Sequence, residues 1–169
     1  MANVPREDHA AAMRQALDLA RLSEPKPTNY RVGALLVKLA NESISAQGYT
    51  LELPGNTHAE ECCLLKLAER HSVSEEDLSQ VMTEPHALYT TVEPCSMRLS
   101  GKLPCVERVL RQRSWIQKVY VGVTEPDTFV SQNQGRKLLQ DAGIEVIHVP
   151  GMEDEILAVA TAGHIAEKQ

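Results

Sequence analysis

Three short segments of the sequence contain residue types that can bind a transition metal and activate water. The first is His58-Ala59-Glu60, and the other two are Pro-Cys pairs that end at Cys95 and Cys105. One imidazole and two thiolates are three ligands for zinc, and a catalytic zinc site keeps its fourth position for water. Glu60 is close enough to His58 in the chain to exchange protons with such a water. These residues therefore indicate metal-assisted hydrolysis.

The spacing of His58 and Glu60 restricts where the two residues can lie in the fold. On a regular α-helix, residues i and i+2 point about 200° apart. Both side chains can face one metal only if the metal lies over the open first turn of a helix. Cys105 also precedes a predicted helix, and the positive ends of two helix dipoles would favour thiolate at the site. We therefore predict a metal between two helix N-termini.

A second ligand set remains open at this point. Cys62 lies one helical turn beyond His58 and could close the site as a fourth protein ligand. A closed site is typical of structural zinc, and the chain would then be a zinc-stabilised binding module. A site closed by Cys62 would leave Glu60 without a role. We therefore favour the interpretation that Cys62 and Cys63 are small buried thiols and not metal ligands.

The composition is that of an ordinary globular domain, with 43% hydrophobic and 24% charged residues among 169. The predicted division of this single domain is an N-terminal helix and linker over 1–27, a core over 28–150 and a C-terminal helix over 151–169. The first eight residues contain no apolar stretch typical of a secretory signal, so a cytoplasmic location is expected.

Charge and hydropathy exclude two classes of partner. The longest apolar run, residues 32–37, is far shorter than the roughly 20 residues of a membrane helix, so no membrane partner is expected. The net charge is −6 and the pI is near 5.5, which argues against nucleic acid as a partner. A small anionic substrate needs only a local basic cluster and fits these values.

Hydrophobic periodicity predicts strands that alternate with helices, which is typical of an α/β fold with a mixed five-stranded sheet. The first two strands are predicted to form a hairpin, and the later three, which helices separate, to be parallel. Gly55-Asn56-Thr57 is the predicted cap of the helix that follows it. The predicted strands are 31–39, 42–49, 86–92, 118–123 and 144–149. The predicted helices are 8–22, 58–70, 75–81, 106–113, 130–142 and 153–167.

The residues around the predicted metal site resemble those of a known superfamily. His-x-Glu followed by Pro-Cys-x-x-Cys is the signature of the zinc-dependent nucleobase deaminases, a pattern to which His58, Glu60 and Cys95 conform. Here nine residues, and not two, separate Cys95 from Cys105. This longer loop is similar to that of the pyrimidine deaminases of riboflavin biosynthesis, in particular the fungal ones. Further segments that resemble this family are 29–34, 55–61, 89–96, 98–105 and 135–144.

The resemblance implies a fold, a cofactor and a substrate. The expected fold is a cytidine-deaminase-like three-layer α/β/α sandwich, and the expected cofactor is Zn²⁺ on His58, Cys95 and Cys105. Glu60 would be the catalytic acid and base. The expected substrate is a ribitylamino-pyrimidine phosphate, and the protein would be a homodimer. Asn29 and Asn56 are candidates to bind the pyrimidine edge, and candidates for the phosphate are Arg98, Ser100 and Lys102.

Two other deaminase classes remain as alternatives. A cytidine or deoxycytidylate deaminase would use the same mechanism, but it is expected to have the short Cys-x-x-Cys that this chain lacks. A tRNA adenosine deaminase is disfavoured by the net charge of −6 and by the absence of a basic C-terminal helix.

Overall fold

A five-stranded mixed sheet forms the centre of the protein. The computed structural model describes residues 8–98, 100–124 and 134–164. The strand order is β2-β1-β3-β4-β5; β1 is antiparallel to both of its neighbours, and β3, β4 and β5 are parallel. The predicted mixed sheet, its hairpin and its parallel part are confirmed. The strands are β1 (Gly33–Lys38), β2 (Ile44–Tyr49), β3 (His86–Val92), β4 (Ile116–Val123) and β5 (Glu145–His148).

Helices cover both faces of this sheet, as a three-layer α/β/α sandwich requires. α1 and α6 pack on one face, and α2, α4 and α5 lie on the other face with a second core cluster. The predicted three-layer α/β/α arrangement is therefore confirmed. The helices are α1 (His9–Ala20), α2 (Ala59–Arg70), α3 (Leu78–Val81), α4 (Cys105–Arg111), α5 (Gly135–Asp141) and α6 (Glu153–Ala160).

The apolar residues of α1 recur at helical spacing and therefore lie on one face of the helix. Met13, Ala16 and Leu17 are fully buried against the sheet. The helix begins where the side chain of Asp8 accepts a hydrogen bond from the backbone of Ala11 at 2.9 Å. A Cβ on Gly33 of β1 would lie 1.7 Å from the carbonyl oxygen of Ala16, so only glycine permits this close packing.

On the opposite face, a second glycine fixes the position of the helix that carries the candidate metal ligand. A Cβ on Gly48 of β2 would lie 2.7 Å from the carbonyl oxygen of Ala59 and 2.9 Å from the Cβ of Cys62. The absence of a side chain at Gly48 lets the first turn of α2 lie directly against the sheet. This turn contains Glu60.

Several predicted boundaries were wrong, for local reasons. β2 begins at Ile44 and not at 42, because Glu42 has a φ of +61° in the turn before it. α6 ends at Ala160 and not at 167; Gly163, at a φ of +89°, turns the chain against Pro25. The cap of α2 is His58 itself and not the predicted segment 55–57.

The bounds of β1, β4, β5, α1, α2 and α4 differ from the prediction by one or two residues at one or both ends. Residues 75–81 form a 3₁₀ turn, Glu75–Asp77, followed by the single turn α3. The predicted helix start at 130–133 lies outside the described residues, and α5 occupies the C-terminal part of that prediction. Within the described ranges, no helix combines the length and apolarity that crossing a membrane requires.

Candidate metal centre and active site

The three predicted metal ligands come together where β3 ends and two helices begin. His58 is the N-cap of α2, Cys95 follows the end of β3 by three residues, and Cys105 is the first residue of α4. The ring nitrogen Nδ1 of His58 lies 3.6 Å from Sγ of Cys95 and 3.5 Å from Sγ of Cys105. The sequence thus located all three segments that meet here.

These distances fit a tetrahedral zinc site. Bond lengths of about 2.3 Å to sulfur and about 2.05 Å to nitrogen place the two ligand atoms about 3.6 Å apart at the tetrahedral angle. The two observed distances between nitrogen and sulfur agree with that value. The backbone N–H of Cys105 also donates to Sγ of Cys95 at 3.3 Å, which orients this sulfur. These three side chains could therefore hold a metal ion.

Cys62 is not part of this group. Among the residues that the structure describes, one group of potential metal ligands has three ligand atoms within 4.8 Å of one another. Its members are His58, Cys95 and Cys105. Cys62 is fully buried, and burial raises the pKa of its thiol. The geometry therefore does not support the closed four-ligand alternative.

The surroundings of the two cysteines lower the pKa of one thiol and raise the pKa of the other. Hydrogen bonds from the Cys105 thiol and from His58 lower the pKa of the Cys95 thiol to about 4. The same contact with Cys95, together with burial, raises the pKa of the Cys105 thiol. Because the thiolate is the form that binds a metal, Cys95 is ready to do so at neutral pH.

Glu60 lies beside the ligand cluster as the second residue of α2. Its carboxylate is buried, and burial is the main cause that raises its pKa, against smaller opposing contacts with Cys105 and His58. A raised carboxyl pKa suits a group that must both accept and return a proton near neutral pH. Its position therefore fits the predicted role of general acid and base.

Thr90 on β3 is a contact that the sequence analysis missed. Its hydroxyl Oγ1 lies 2.7 Å from Oε1 of Glu60 and 2.8 Å from the carbonyl oxygen of Val92. All seven residues of β3 are buried, so the strand shows no alternation that would single out Thr90. Only the tertiary structure identifies this residue as a partner of Glu60.

A cleft opens in front of the ligand cluster. It has a volume of about 160 Å³, which is enough for one six-membered ring, since an engineered cavity of about 150 Å³ accepts benzene. Its walls include Val32, Thr50 and Val92. Seven of the predicted site residues also line it: Asn29, Asn56, His58, Glu60, Cys95, Arg98 and Ser100. Lys102 is not among the lining residues.

The predicted substrate-binding side chains already contact one another or the protein. Nδ2 of Asn29 donates to Oδ1 of Asn56 at 2.9 Å at the rim of the cleft. The guanidinium of Arg98 is almost completely buried, where Nη1 donates to Oε1 of Glu61 at 2.9 Å. The ammonium of Lys102 lies 3.2 Å from the other oxygen of Glu61.

Glu61 is a second residue whose importance the sequence analysis missed. Burial acts to raise the pKa of its carboxyl, but the hydrogen bond from the His58 backbone and the contacts with Arg98 and Arg108 together outweigh burial and lower this pKa. Its Oε1 accepts a bond from the backbone N–H of His58 at 3.1 Å. A carboxylate three residues after a helix N-cap is one half of a capping box. This spacing is the signal in the sequence that could have identified Glu61.

This fold and this site are those of a zinc-binding deaminase class. The family described as "Cytidine and deoxycytidylate deaminase zinc-binding region" matches residues 6–123. The chain belongs to this family, as the sequence resemblance predicted.

Relatives with more specific names are also similar to this chain. The "Diaminohydroxyphosphoribosylamino-pyrimidine deaminase" of Schizosaccharomyces pombe is 38% identical over 157 residues, which are 93% of this chain and 36% of that protein. The chain thus spans about a third of this curated relative. A crystal structure of Aspergillus oryzae Rib2 deaminase, a C-terminal deletion mutant, is 48% identical, with a TM-score of 0.86 and 92% of each chain covered. A second structure of it, in complex with DARIPP, is 47% identical, with a TM-score of 0.85 and coverages of 92% and 91%.

Proposed function

We propose that this protein is a hydrolytic deaminase of riboflavin biosynthesis. Its substrate is 2,5-diamino-6-ribitylamino-4(3H)-pyrimidinone 5′-phosphate, and its products are 5-amino-6-ribitylamino-2,4-pyrimidinedione 5′-phosphate and ammonia. The observation that carries the proposal is the group of three ligand atoms beside the buried Glu60, on the wall of a cleft that fits one ring. The relative of known structure that binds DARIPP supports a pyrimidine substrate.

We propose that the metal is zinc, held by His58, Cys95 and Cys105. The match between their separations and zinc bond lengths supports this choice. When bound, zinc lowers the pKa of a coordinated water to about 7 and so supplies hydroxide at neutral pH. The N-termini of α2 and α4 add N–H groups and positive dipole ends near the thiolates.

Glu60 carries the protons of the reaction in this proposal. Its carboxylate accepts a proton from the attacking water and delivers it to the ring nitrogen next to the carbon that bears the amine. It then moves the second proton, from the added hydroxyl, to the departing amine, so that one water is consumed and one ammonia leaves. Burial supports this role because it keeps bulk water from competing for the carboxylate.

Five side chains are proposed to recognise the substrate. Asn29 and Asn56 offer amide donors and acceptors to the pyrimidine edge, and their position on the cleft supports this role. Arg98, Ser100 and Lys102 are proposed to bind the 5′-phosphate. Arg98 and Ser100 line the cleft, which supports this role; Nε of Arg98 has no hydrogen-bond partner among the described residues.

Three further features belong to the same proposal. All 169 residues are proposed to form one deaminase domain, with its core at 28–150 between N-terminal (1–27) and C-terminal (151–169) segments. The family resemblance supports a homodimer, which light scattering on a sizing column would test. We also propose that the enzyme acts in the cytoplasm.

Ammonia release by the zinc-loaded protein tests the proposed function. The substrates offered are the ribitylamino-pyrimidinone phosphate, its unreduced ribosylamino analogue, cytidine and deoxycytidylate. Turnover of the first compound alone, with loss of activity in E60Q, is the expected result. Turnover of cytidine or deoxycytidylate instead would keep the mechanism and overturn the substrate. No turnover of any of the four by a zinc-loaded protein would overturn the enzymatic function.

A further inference from the structure

The carboxylate of Glu61 accepts two hydrogen bonds and forms two further ion pairs. Oε1 receives the backbone N–H of His58 at 3.1 Å and Nη1 of Arg98 at 2.9 Å. Oε2 lies 3.0 Å from Nη2 of Arg108 and 3.2 Å from Nζ of Lys102. Both oxygens are therefore fully engaged, and the carboxylate is only 4% exposed.

Three of these contacts connect Glu61 to three different segments, each of which contains a proposed metal ligand. One goes to the backbone of the histidine ligand itself. Another goes to Arg98, three residues beyond Cys95, and a third goes to Arg108, three residues into the chain after Cys105. A single side chain thus connects all three ligand segments, which are far apart in the sequence.

We propose that Glu61 is a positioning residue that sets the distances among the three metal-ligand segments and thereby the affinity of the site for zinc. This inference rests on the proposed function insofar as it requires that the site binds zinc. Groups that orient metal ligands through hydrogen bonds typically change metal affinity when they are removed. The nine-residue loop between the two cysteines contains Arg98, whose contact with Glu61 ties this loop to the first turn of α2.

A structural role alone would have a different consequence. Glu61 balances the charge of the buried Arg98, so its removal leaves a buried cation with less compensation and destabilises the whole fold. If that were its only role, the folded protein would still bind zinc normally. Zinc affinity and the stability of the metal-free protein therefore separate the two roles.

The experiment compares E61Q with E75Q and the wild-type chain. Zinc affinity is measured by competition with a chromophoric chelator, and melting temperatures are measured with and without zinc. We expect E61Q to bind zinc about 10- to 100-fold more weakly than the wild type does. Zinc should also raise the melting temperature of E61Q by less than that of the wild type. Glu75 is the other carboxylate on Arg108, and E75Q should stay within about threefold of the wild type because the link to the ligand segments remains.

A double variant separates charge balance from positioning and serves if E61Q alone does not fold. E61Q/R98Q removes one anion and one cation, so the metal-free protein should regain stability while zinc binding stays weak. Affinity within about threefold of wild type, in folded E61Q or in the double variant, would overturn the inference. A wild-type chain without zinc affinity would overturn the proposed function as well.

Discussion

The hydroxyl of Thr90 lies 2.7 Å from the carboxylate oxygen Oε1 of Glu60, so the central strand β3 holds the side chain of α2 that we propose as the acid–base group. The hydroxyl is also 2.8 Å from the carbonyl oxygen of Val92. Its one hydrogen can therefore be donated to either acceptor. Thr90 is not among the residues that line the cleft, so in the proposed reaction it would act through Glu60 and not through the substrate.

Replacing Thr90 with valine should lower kcat and leave KM unchanged. T90V keeps the shape of the side chain but removes the bond that orients Glu60, and we expect a loss of about 10-fold in kcat. T90S keeps the hydroxyl and should retain activity within about threefold. Steady-state kinetics with the ribitylamino substrate measure both constants. A loss in T90S as large as that in T90V would show that the hydroxyl alone does not account for the effect.

Cys105 and Cys62 should respond differently to serine substitution. C105S removes a ligand, and the zinc content should fall from about one ion per chain to below about a tenth after dialysis. C62S changes a buried thiol outside the ligand group and should keep its zinc. Elemental analysis of the two purified proteins provides the measurement. Zinc loss in C62S would instead support the closed four-ligand site.

Lys102 tests the proposed phosphate contact. Its ammonium lies 2.7 Å from the carbonyl oxygen of Gly55 and is 32% exposed, beside the cleft wall but not lining it. K102A should raise KM about 10-fold for the phosphorylated substrate, since hydrogen bonds to charged groups contribute about 1.5–3 kcal/mol. K137A removes an exposed lysine of α5 and serves as the control. An unchanged KM in K102A would exclude Lys102 from phosphate binding.

His86 should make the protein less stable as the pH falls. Nδ1 donates to the carbonyl oxygen of Glu84, so Nε2 accepts the hydroxyl of Ser45 and the ring is neutral. Burial lowers the pKa of His86 from 6.5, the nearby Lys38 cation lowers it further, and Glu84 opposes them. The unfolded chain therefore takes up this proton at a higher pH than the folded chain does. Stability is fully present above about pH 6.5 and is lost as the pH falls towards the lower folded pKa.

The variant H86Q isolates this effect. It cannot take up the proton in either state, so its unfolding free energy should depend less on pH between about 7.5 and 5. Urea titrations of both proteins at several pH values, at one zinc concentration, provide the comparison. Parallel pH dependences in the two proteins would show that other groups cause the acid sensitivity.

The sequence was sufficient to predict the features that depend on residue type and periodicity. His58, Cys95 and Cys105 are rare residue types in a recognisable order, and the alternation of helices and strands limits the sheet to few arrangements. The bounds of β3 were predicted without error because Pro85 and Pro94 flank an uninterrupted β-rich run.

Features that depend on tertiary contacts could not be predicted in this way. Basic residues in a loop near a metal site suggested phosphate binding, but the sequence did not show that the guanidinium of Arg98 also pairs with the buried carboxylate of Glu61. Nothing in the local sequence shows that a carboxylate on α2 lies within reach of that loop. Thr90 is a similar case, because one hydroxyl in a fully buried strand carries no periodic signal.

The wide separation of the ligands along the chain has a consequence for folding. His58 precedes the two cysteines by 37 and 47 positions, and β3, whose end leads to Cys95, is paired with β1 and β4 in the sheet. Chain entropy opposes such distant contacts until the intervening elements have formed. We therefore expect zinc, the proposed metal, to bind after the sheet has formed and not to nucleate folding; it would stabilise the native state by mass action, by about 2.7 kcal/mol at a free concentration of 100 times Kd. The half-life of the folded enzyme should then rise and fall with the supply of the metal.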